Sequence, residues 1–396
     1  MPYDVIVVGG ANRETIIRHS VHFQVGTAMR ATDATTRAGG GGLNQAACLM
    51  HFGKRLVFPL LPLAHDPRGE ECLASLDRCR TSYMLHKPPA VDPRTVAGPD
   101  KTTGESFVIV GRTGTRTIIS VPGSVSEDYA ERLLPRFSAA LTDLARHGCV
   151  SIGHVIDTHD SPSASLDKTK QIVRATREIS DRQSRPVVHW NMRSAQVSHP
   201  ICQWTDTVGM VDCIQLTCQN ARALIRASQH CGCNICDSFR VPHRQMEVTA
   251  QDVVRVVAAM GVPTIISLGL RGSLGIVGPS SERVIMHVPS AYLGNDFVDA
   301  VRAGDALAAG FIHARLDQVR RTSPADFGPD EMERALRVGT YWAMAACQAP
   351  DPGHDWPRDG MPTSLETTHS MPDARLFPLD FDVSNEDLRF FLRLLD

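Results

Sequence analysis

Short apolar runs recur along the chain, and the spacing between them changes character near Glu127. Residues 4–10 open on Val5-Ile6-Val7-Val8 and close on Gly9-Gly10, the pattern of a buried strand running into a turn. Residues 12–38 are polar, Thr-rich and weakly periodic, which fits a β excursion better than a helix. After Gly39-Gly40-Gly41-Gly42, the apolar positions Leu43, Ala46, Ala47, Leu49 and Met50 predict a helix starting at a glycine-rich turn. Residues 56–61 form the next short apolar run. Residues 103–110 and 115–121 flank Gly111-Arg112-Thr113-Gly114 and predict a hairpin.

Beyond Glu127 helix and strand patterns alternate. Helices are expected at 130–147, 172–179 and 250–260, and strands at 149–152, 186–190, 212–216 and 263–268. Strands separated by helices of this kind predict parallel βαβ units and an α/β fold: a doubly wound, mostly parallel sheet flanked by helices. Two long helices follow, at 303–319 and 330–346. Residues 349–382, rich in Pro, Asp, His and Ser, predict an irregular tail, and residues 388–395 a short amphipathic terminal helix. Residues 230–243 read as a loop inserted between two helices. No repeat and no heptad pattern is present.

The chain has 396 residues, enough for one large α/β domain with a lid or for two smaller domains. Its 42% apolar and 21% charged residues are the balance of a soluble globular protein. A net charge of −2 argues against a general nucleic-acid binder. No window approaches the roughly 20 apolar residues that span a bilayer, so no membrane partner is expected. The apolar run at Val5 lacks a basic region before it, and the 11 cysteines are odd in number and scattered. A cytoplasmic protein with mostly free thiols is the expectation.

Two glycine-rich segments carry candidate chemistry. In the first, Gly40 and Gly42 precede Asn44 in the first helical turn, where its amide can donate to and accept from sugar hydroxyls. The same run is equally the pattern of a tight turn. In the second, Arg302-Ala303-Gly304-Asp305 enters the helix at 303–319. A carboxylate there, beside free amides, suits proton acceptance during phosphoryl transfer, and suits a plain helix N-cap as well. Cys231, Cys233 and Cys236, with His243 nearby, are dense enough for a zinc site, although Cys-x-Cys-x-x-Cys lacks the paired spacing of a zinc ribbon.

Together the two segments resemble the paired signatures of the ribokinase-like (PfkB) family of sugar and nucleoside kinases. Intermediate landmarks are similar too: Asn12 and Glu14 where the family has Asn-x-Asp, Asp66-Pro67-Arg68-Gly69, the stretch from Thr103-Gly104 to Pro122-Gly123, and Ser267-Leu268-Gly269-Leu270-Arg271-Gly272. The resemblance implies a kinase domain over residues 1–349, with a small β-sheet lid from 12–38 and 100–120, and an extension over 350–396. It implies Asp305 as catalytic base, with Arg302, Ala303 and Gly304 forming an anion hole. It implies Asn12, Glu14, Gly40, Gly42, Asn44 and His154 around the acceptor, and Gln219, Ser267, Gly269 and Gly272 around the nucleotide. ATP with magnesium is the implied cofactor pair, and Asp299 matches a position near a monovalent-cation site. A small-molecule sugar or nucleoside is the implied partner, with a homodimer through the lid.

Three positions depart from the family pattern. Arg302 stands where the anion hole begins with Gly; a positive φ there would cost an Arg about 1 kcal/mol or more, while its guanidinium could neutralise phosphoryl charge. Gln219 and Arg222 stand where the family has Asn-x-x-Glu. Glu14 replaces a shorter Asp, and His154 stands near a family Glu. An active kinase and a catalytically impaired homologue that binds sugar, nucleotide or partner protein both remain open on these residues.

Overall fold

Val5, Ile6, Val7 and Val8 are all buried, as in a strand covered by helices on both faces. The computed structural model describes residues 2–18, 30–79, 100–111, 116–153, 155, 162–178, 185–231, 233–238, 247–278, 282–290, 300–319, 327–348 and 375–378. Its strands are β1 (Tyr3–Val8), β2 (Asn12–Arg18), β3 (Asp33–Gly39), β4 (Val57–Leu60), β5 (Gly104–Val110), β6 (Arg116–Val121) and β7 (Leu144–Ile152). They continue as β8 (Val187–Asn191), β9 (Cys213–Thr217), β10 (Thr264–Ser267), β11 (Ser273–Val277), β12 (Val284–Val288) and β13 (Arg375–Pro378). The helices begin with α1 (Gly41–His51), α2 (Pro67–Cys79), α3 (Val125–Thr142), α4 (Pro162–Glu178), α5 (Ser194–Val197) and α6 (Thr205–Val208). After them come α7 (Cys218–Gln229), α8 (Asn234–Ser238), α9 (Ala250–Ala259), α10 (Ala303–Val319) and α11 (Pro329–Gln348).

The large sheet has the order β13-β12-β11-β10-β9-β8-β7-β1-β4. From β4 to β10 every pairing is parallel, and β11, β12 and β13 are added antiparallel. Alternation along β1 sends neighbouring side chains to opposite faces. Ile6 and Val8 join a core with Trp190, Trp204 and residues of α3, α4, α7 and α9. Val5 and Val7 join a second core with residues of α1, α2, α10 and α11. The doubly wound expectation is met. A second sheet, ordered β3-β2-β5-β6, springs from the end of β1, with β2 and β5 parallel and the other pairs antiparallel.

Four segments differ from the pattern reading. The helix expected over 130–147 stops at Thr142, because Leu144 already pairs with Tyr3. A register shift between Tyr3 and Val5 then takes up the polar residues before Cys149. The helix expected at 172–179 starts at Pro162. Its first half hides Ser165 and Thr169, which donate to the Val155 and Ser165 carbonyls at 2.5 and 2.8 Å, so no apolar periodicity announces it. Within the tail expected to be irregular, Arg375–Pro378 is regular and pairs with β12. The segment at 388–395 lies outside the described residues. Residues 230–243 contain the short α8 rather than loop alone. Among the described residues no helix is long and apolar enough to cross a membrane.

Candidate active site

β1 delivers the chain to Gly9-Gly10 at the carboxyl edge of the parallel strands, the edge where open α/β sheets bind ligands. α1 starts beside it. The amides of Gly42 and Leu43 both donate to the Gly10 carbonyl, at 2.9 and 3.3 Å. A Cβ on Gly42 would fall 2.7 Å from the Gly9 carbonyl carbon, so only glycine lets the helix come this near. Gly40, the N-cap of α1, holds φ at 98°. The glycine run is thus a tight turn that seats α1 against the end of β1.

Asp305 lies in the first turn of α10 and is buried. Its Oδ2 accepts from Asn44 Nδ2 at 3.0 Å, and its Oδ1 is paired with Arg193 Nη2. Both oxygens therefore serve side chains from other elements, and neither caps α10. Arg193 sits just past β8 as the N-cap of α5. Gly41 completes the contact, since a Cβ there would meet Arg193 Nη2 at 2.9 Å and Asp305 Oδ1 at 3.3 Å.

Arg302 has φ 76°, a left-handed conformation at the entry to α10. For a side chain with a Cβ this costs about 1–2 kcal/mol. The side chain is buried, and Nη2 donates to the Ala38 carbonyl at 3.2 Å. Its charge acts on Glu14, whose Oε1 accepts from the Gly40 amide at 3.0 Å and whose Oε2 is 4.0 Å from Arg37 Nε. Burial raises the Glu14 carboxyl above its ordinary range, against the pull of Arg302 and Arg37. Glu14 lies flat over Gly39, where a Cβ would fall 2.0 Å from its Cδ, so the backbone makes room for the longer acid.

Asn12 and Glu14 are two apart on β2 and face one side of the small sheet. Asn12 Oδ1, Glu14 Oε2 and Asn44 Oδ1 are buried acceptor atoms without a hydrogen-bond partner. Such orphans mark a place built for a donor-bearing ligand or water.

Behind Asp305, Gln215 Nε2 donates to the Gly304 carbonyl at 2.9 Å. Its Oε1 is left to accept from His189 Nε2 at 3.2 Å. Burial pushes the His189 imidazole down to about 4 from 6.5, so the ring is neutral and its Nε2–H is the donor. On acidification the unfolded chain takes up a proton here that the folded chain refuses. Between pH 6.5 and 4 the wild type should therefore lose about 3 kcal/mol relative to His189→Asn, at about 1.4 kcal/mol per unit. Parallel curves of stability against pH for the two proteins would refute this.

The expected nucleotide residues line the same edge further along the sheet. Gln219 is exposed in the first turn of α7, after β9, and Ser267 ends β10. Gly269 and Gly272 bound a 3-10 turn with φ 64° and 95°. A Cβ on Gly272 would meet the Val288 carbonyl at 2.1 Å, whereas Gly269 and Gly304 each face open space. The Ala303 and Asp305 amides already donate to the Ala300 and Arg302 carbonyls, at 3.3 and 2.9 Å, so a phosphate in the space over Gly304 would meet chiefly the Gly304 amide and the N-terminal end of the α10 dipole. A magnesium ion would draw its ligands chiefly from phosphates and water there, because Asp305 is already paired and Gln219 is neutral. His154, Asp299 and His243 lie outside the described residues.

Sequence reasoning missed Arg193, Gln215 and His189. The sequence offers a partial signal for Arg193 alone, which follows a predicted parallel strand at the carboxyl edge but belongs to neither glycine-rich segment. The structure also adds a fourth cysteine, Cys202, to Cys231, Cys233 and Cys236.

A family model described as pfkB family carbohydrate kinase matches residues 3–359. No curated protein matches the chain. Among solved structures, Arabidopsis thaliana ribokinase complexed with ribose and ATP is 18% identical, with a TM-score of 0.58, over 93% of this chain and 99% of that one. Giardia lamblia ribokinase is 16% identical, with a TM-score of 0.64, over 90% and 96% of the two chains. A Methanocaldococcus jannaschii nucleoside kinase is 12% identical, with a TM-score of 0.54, over 90% and 95%. These likenesses are of fold.

Proposed function

The chain belongs to the pfkB family of carbohydrate kinases, and we propose that it transfers the γ-phosphoryl group of ATP to a hydroxyl of a small sugar or nucleoside. The observation that carries this reading is the buried Asp305 carboxylate, held by Asn44 and Arg193 beside the open space over Gly304. The acceptor hydroxyl gives its proton to Asp305 as its oxygen bonds to phosphorus, and the bond to the β-phosphate oxygen breaks to leave ADP. The Gly304 amide receives a phosphoryl oxygen, and the Ala303 and Asp305 amides, which donate to the Ala300 and Arg302 carbonyls, can join it only by exchanging those partners. Bound magnesium supplies charge neutralisation on the β- and γ-phosphates.

The orphan acceptors on Asn12, Glu14 and Asn44 support a ligand that brings several O–H donors, as a polyol does. Gly40 and Gly42 act from behind it, letting the start of α1 pack against Gly9, Gly10 and Ala11 so that Asn44 is held in place. Arg302 is engaged with Ala38 and Glu14, which favours a role in holding the acceptor wall over one at the phosphoryl group. Gln219, Ser267, Gly269 and Gly272 serve the nucleotide.

A second reading has its own support. Both Asp305 oxygens are occupied and Arg302 is strained, which fits a homologue that binds sugar or nucleotide with impaired turnover. ADP release with Mg2+–ATP, against pentoses, hexoses and nucleosides, separates the two. Acceptor-dependent ADP establishes the kinase. Thermal stabilisation by ATP or an acceptor without any ADP establishes the binding protein.

The small sheet would act as a lid over the acceptor and as a dimer surface. On its edge strand β6, Ile118, Ile119 and Val121 are each about half exposed, at 52%, 51% and 51%, an arrangement that invites pairing with a second copy. Light scattering should give a dimer mass for the wild type and a monomer mass for an Ile118→Lys, Ile119→Lys double variant. A monomeric wild type at micromolar concentration would rule the surface out.

A further inference from the structure

Cys231, Cys233 and Cys236 follow one another into α8, and alone they leave a tetrahedral ion one ligand short. The fold supplies the fourth from elsewhere. A single 3-10 turn, Ile201–Gln203, brings Cys202 against them. The turn is anchored to α7 by Ser228, whose Oγ accepts from the Ile201 amide at 2.9 Å and donates to the Leu224 carbonyl at 2.7 Å.

The sulfurs of Cys202, Cys231, Cys233 and Cys236 all lie within 4.8 Å of one another. Those of Cys202 and Cys231 are 3.4 Å apart. Around zinc, with Zn–S near 2.3 Å, tetrahedral geometry separates sulfurs by about 3.8 Å, so shifts of about 1 Å suffice to enclose an ion. Two amides already point at the sulfurs: Cys236 N–H donates to Cys233, and Cys202 N–H donates to Cys236. Such bonds spread the charge that four thiolates leave around a dication. Cys236 is buried in the core, which fixes one corner of the set.

We propose that Cys202, Cys231, Cys233 and Cys236 bind one zinc ion in a closed, four-thiolate structural site. Every position on the ion is taken by protein, so it has no room for substrate or water. It ties the connection between β8 and β9 to the end of α7. That helix starts at the carboxyl edge and runs 12 residues, about 18 Å, so the ion stands at the far end of the helix from Gln219. The inference is independent of the kinase reading.

The test uses the full chain purified with a reductant and without chelator, and measures metal content by mass spectrometry. About one zinc per chain is expected, falling by at least about five-fold in Cys202→Ser and in Cys233→Ser and unchanged in Cys347→Ser, whose thiol is buried elsewhere. Cobalt exchanged into the wild type should give the near-ultraviolet thiolate charge-transfer band, and this holds even where the serine variants fail to fold. A wild type that takes up neither zinc nor cobalt, or that instead carries a Cys202–Cys231 disulfide under reductant, overturns the proposal. So does full zinc content in Cys202→Ser.

Discussion

Asp305→Asn should turn over acceptor about 10²–10⁴-fold more slowly than the wild type while still binding ATP. Asparagine keeps the shape and one acceptor oxygen, so contacts with Asn44 and Arg193 persist in part. It cannot take the hydroxyl proton. It also leaves the Arg193 guanidinium without its carboxylate, so a modest loss of thermal stability accompanies the loss of rate. ADP release and nucleotide-induced thermal shift on the same preparation separate the two effects. Turnover within about ten-fold of the wild type would mean that the proton goes elsewhere.

The largest effect on stability is expected at Trp342→Ala, about 3–5 kcal/mol. Trp342 is fully buried on α11 with its ring 5.3 Å from that of Phe52, the C-cap of α1, and 5.2 Å from that of His313 on α10. Beneath it α10 and α11 touch through glycines: a Cβ on Gly310 would lie 2.9 Å from Gly339 Cα and 3.0 Å from the Trp342 ring. The indole therefore fills a volume that the two backbones cannot close over, because they are already in contact. Its removal leaves a cavity under the helix that carries Asp305. Denaturant midpoints should show the loss for Trp342→Ala and a smaller one for Trp342→Phe. Equal midpoints for the alanine variant and the wild type would refute the packing argument.

The parallel half of the sheet was legible because its strands are short, mostly apolar runs, most of them flanked by helical spacing. Val5–Val8 could be placed from sequence with no tertiary information. The start of α4 was not, since its buried face carries Ser165, paired with the Val155 carbonyl before the helix, and Thr169, paired within it, in place of apolar side chains. Nor was β13, whose partner β12 lies 87 or more residues earlier in the chain. At the site, Asn44 and Asp305 were named from their glycine-rich surroundings, and the structure joins them directly. Arg193 was not, because it belongs to neither glycine segment and its meaning arises only where β8 ends against α10. The same holds for Cys202, separated from the other three cysteines by all of β9 and α7.

The match to the family ends at residue 359, yet the sheet does not. Arg375–Pro378 lies along β12 as the ninth strand and occupies the hydrogen-bonding groups that would otherwise form the open margin of the layer. A gene fragment trimmed to the family boundary would uncover that margin along Val284–Val288, four of whose five residues are buried and apolar or aromatic. Exposed backbone of this kind recruits other chains, so insolubility of the trimmed product would report a missing border strand and not a misfolded kinase core.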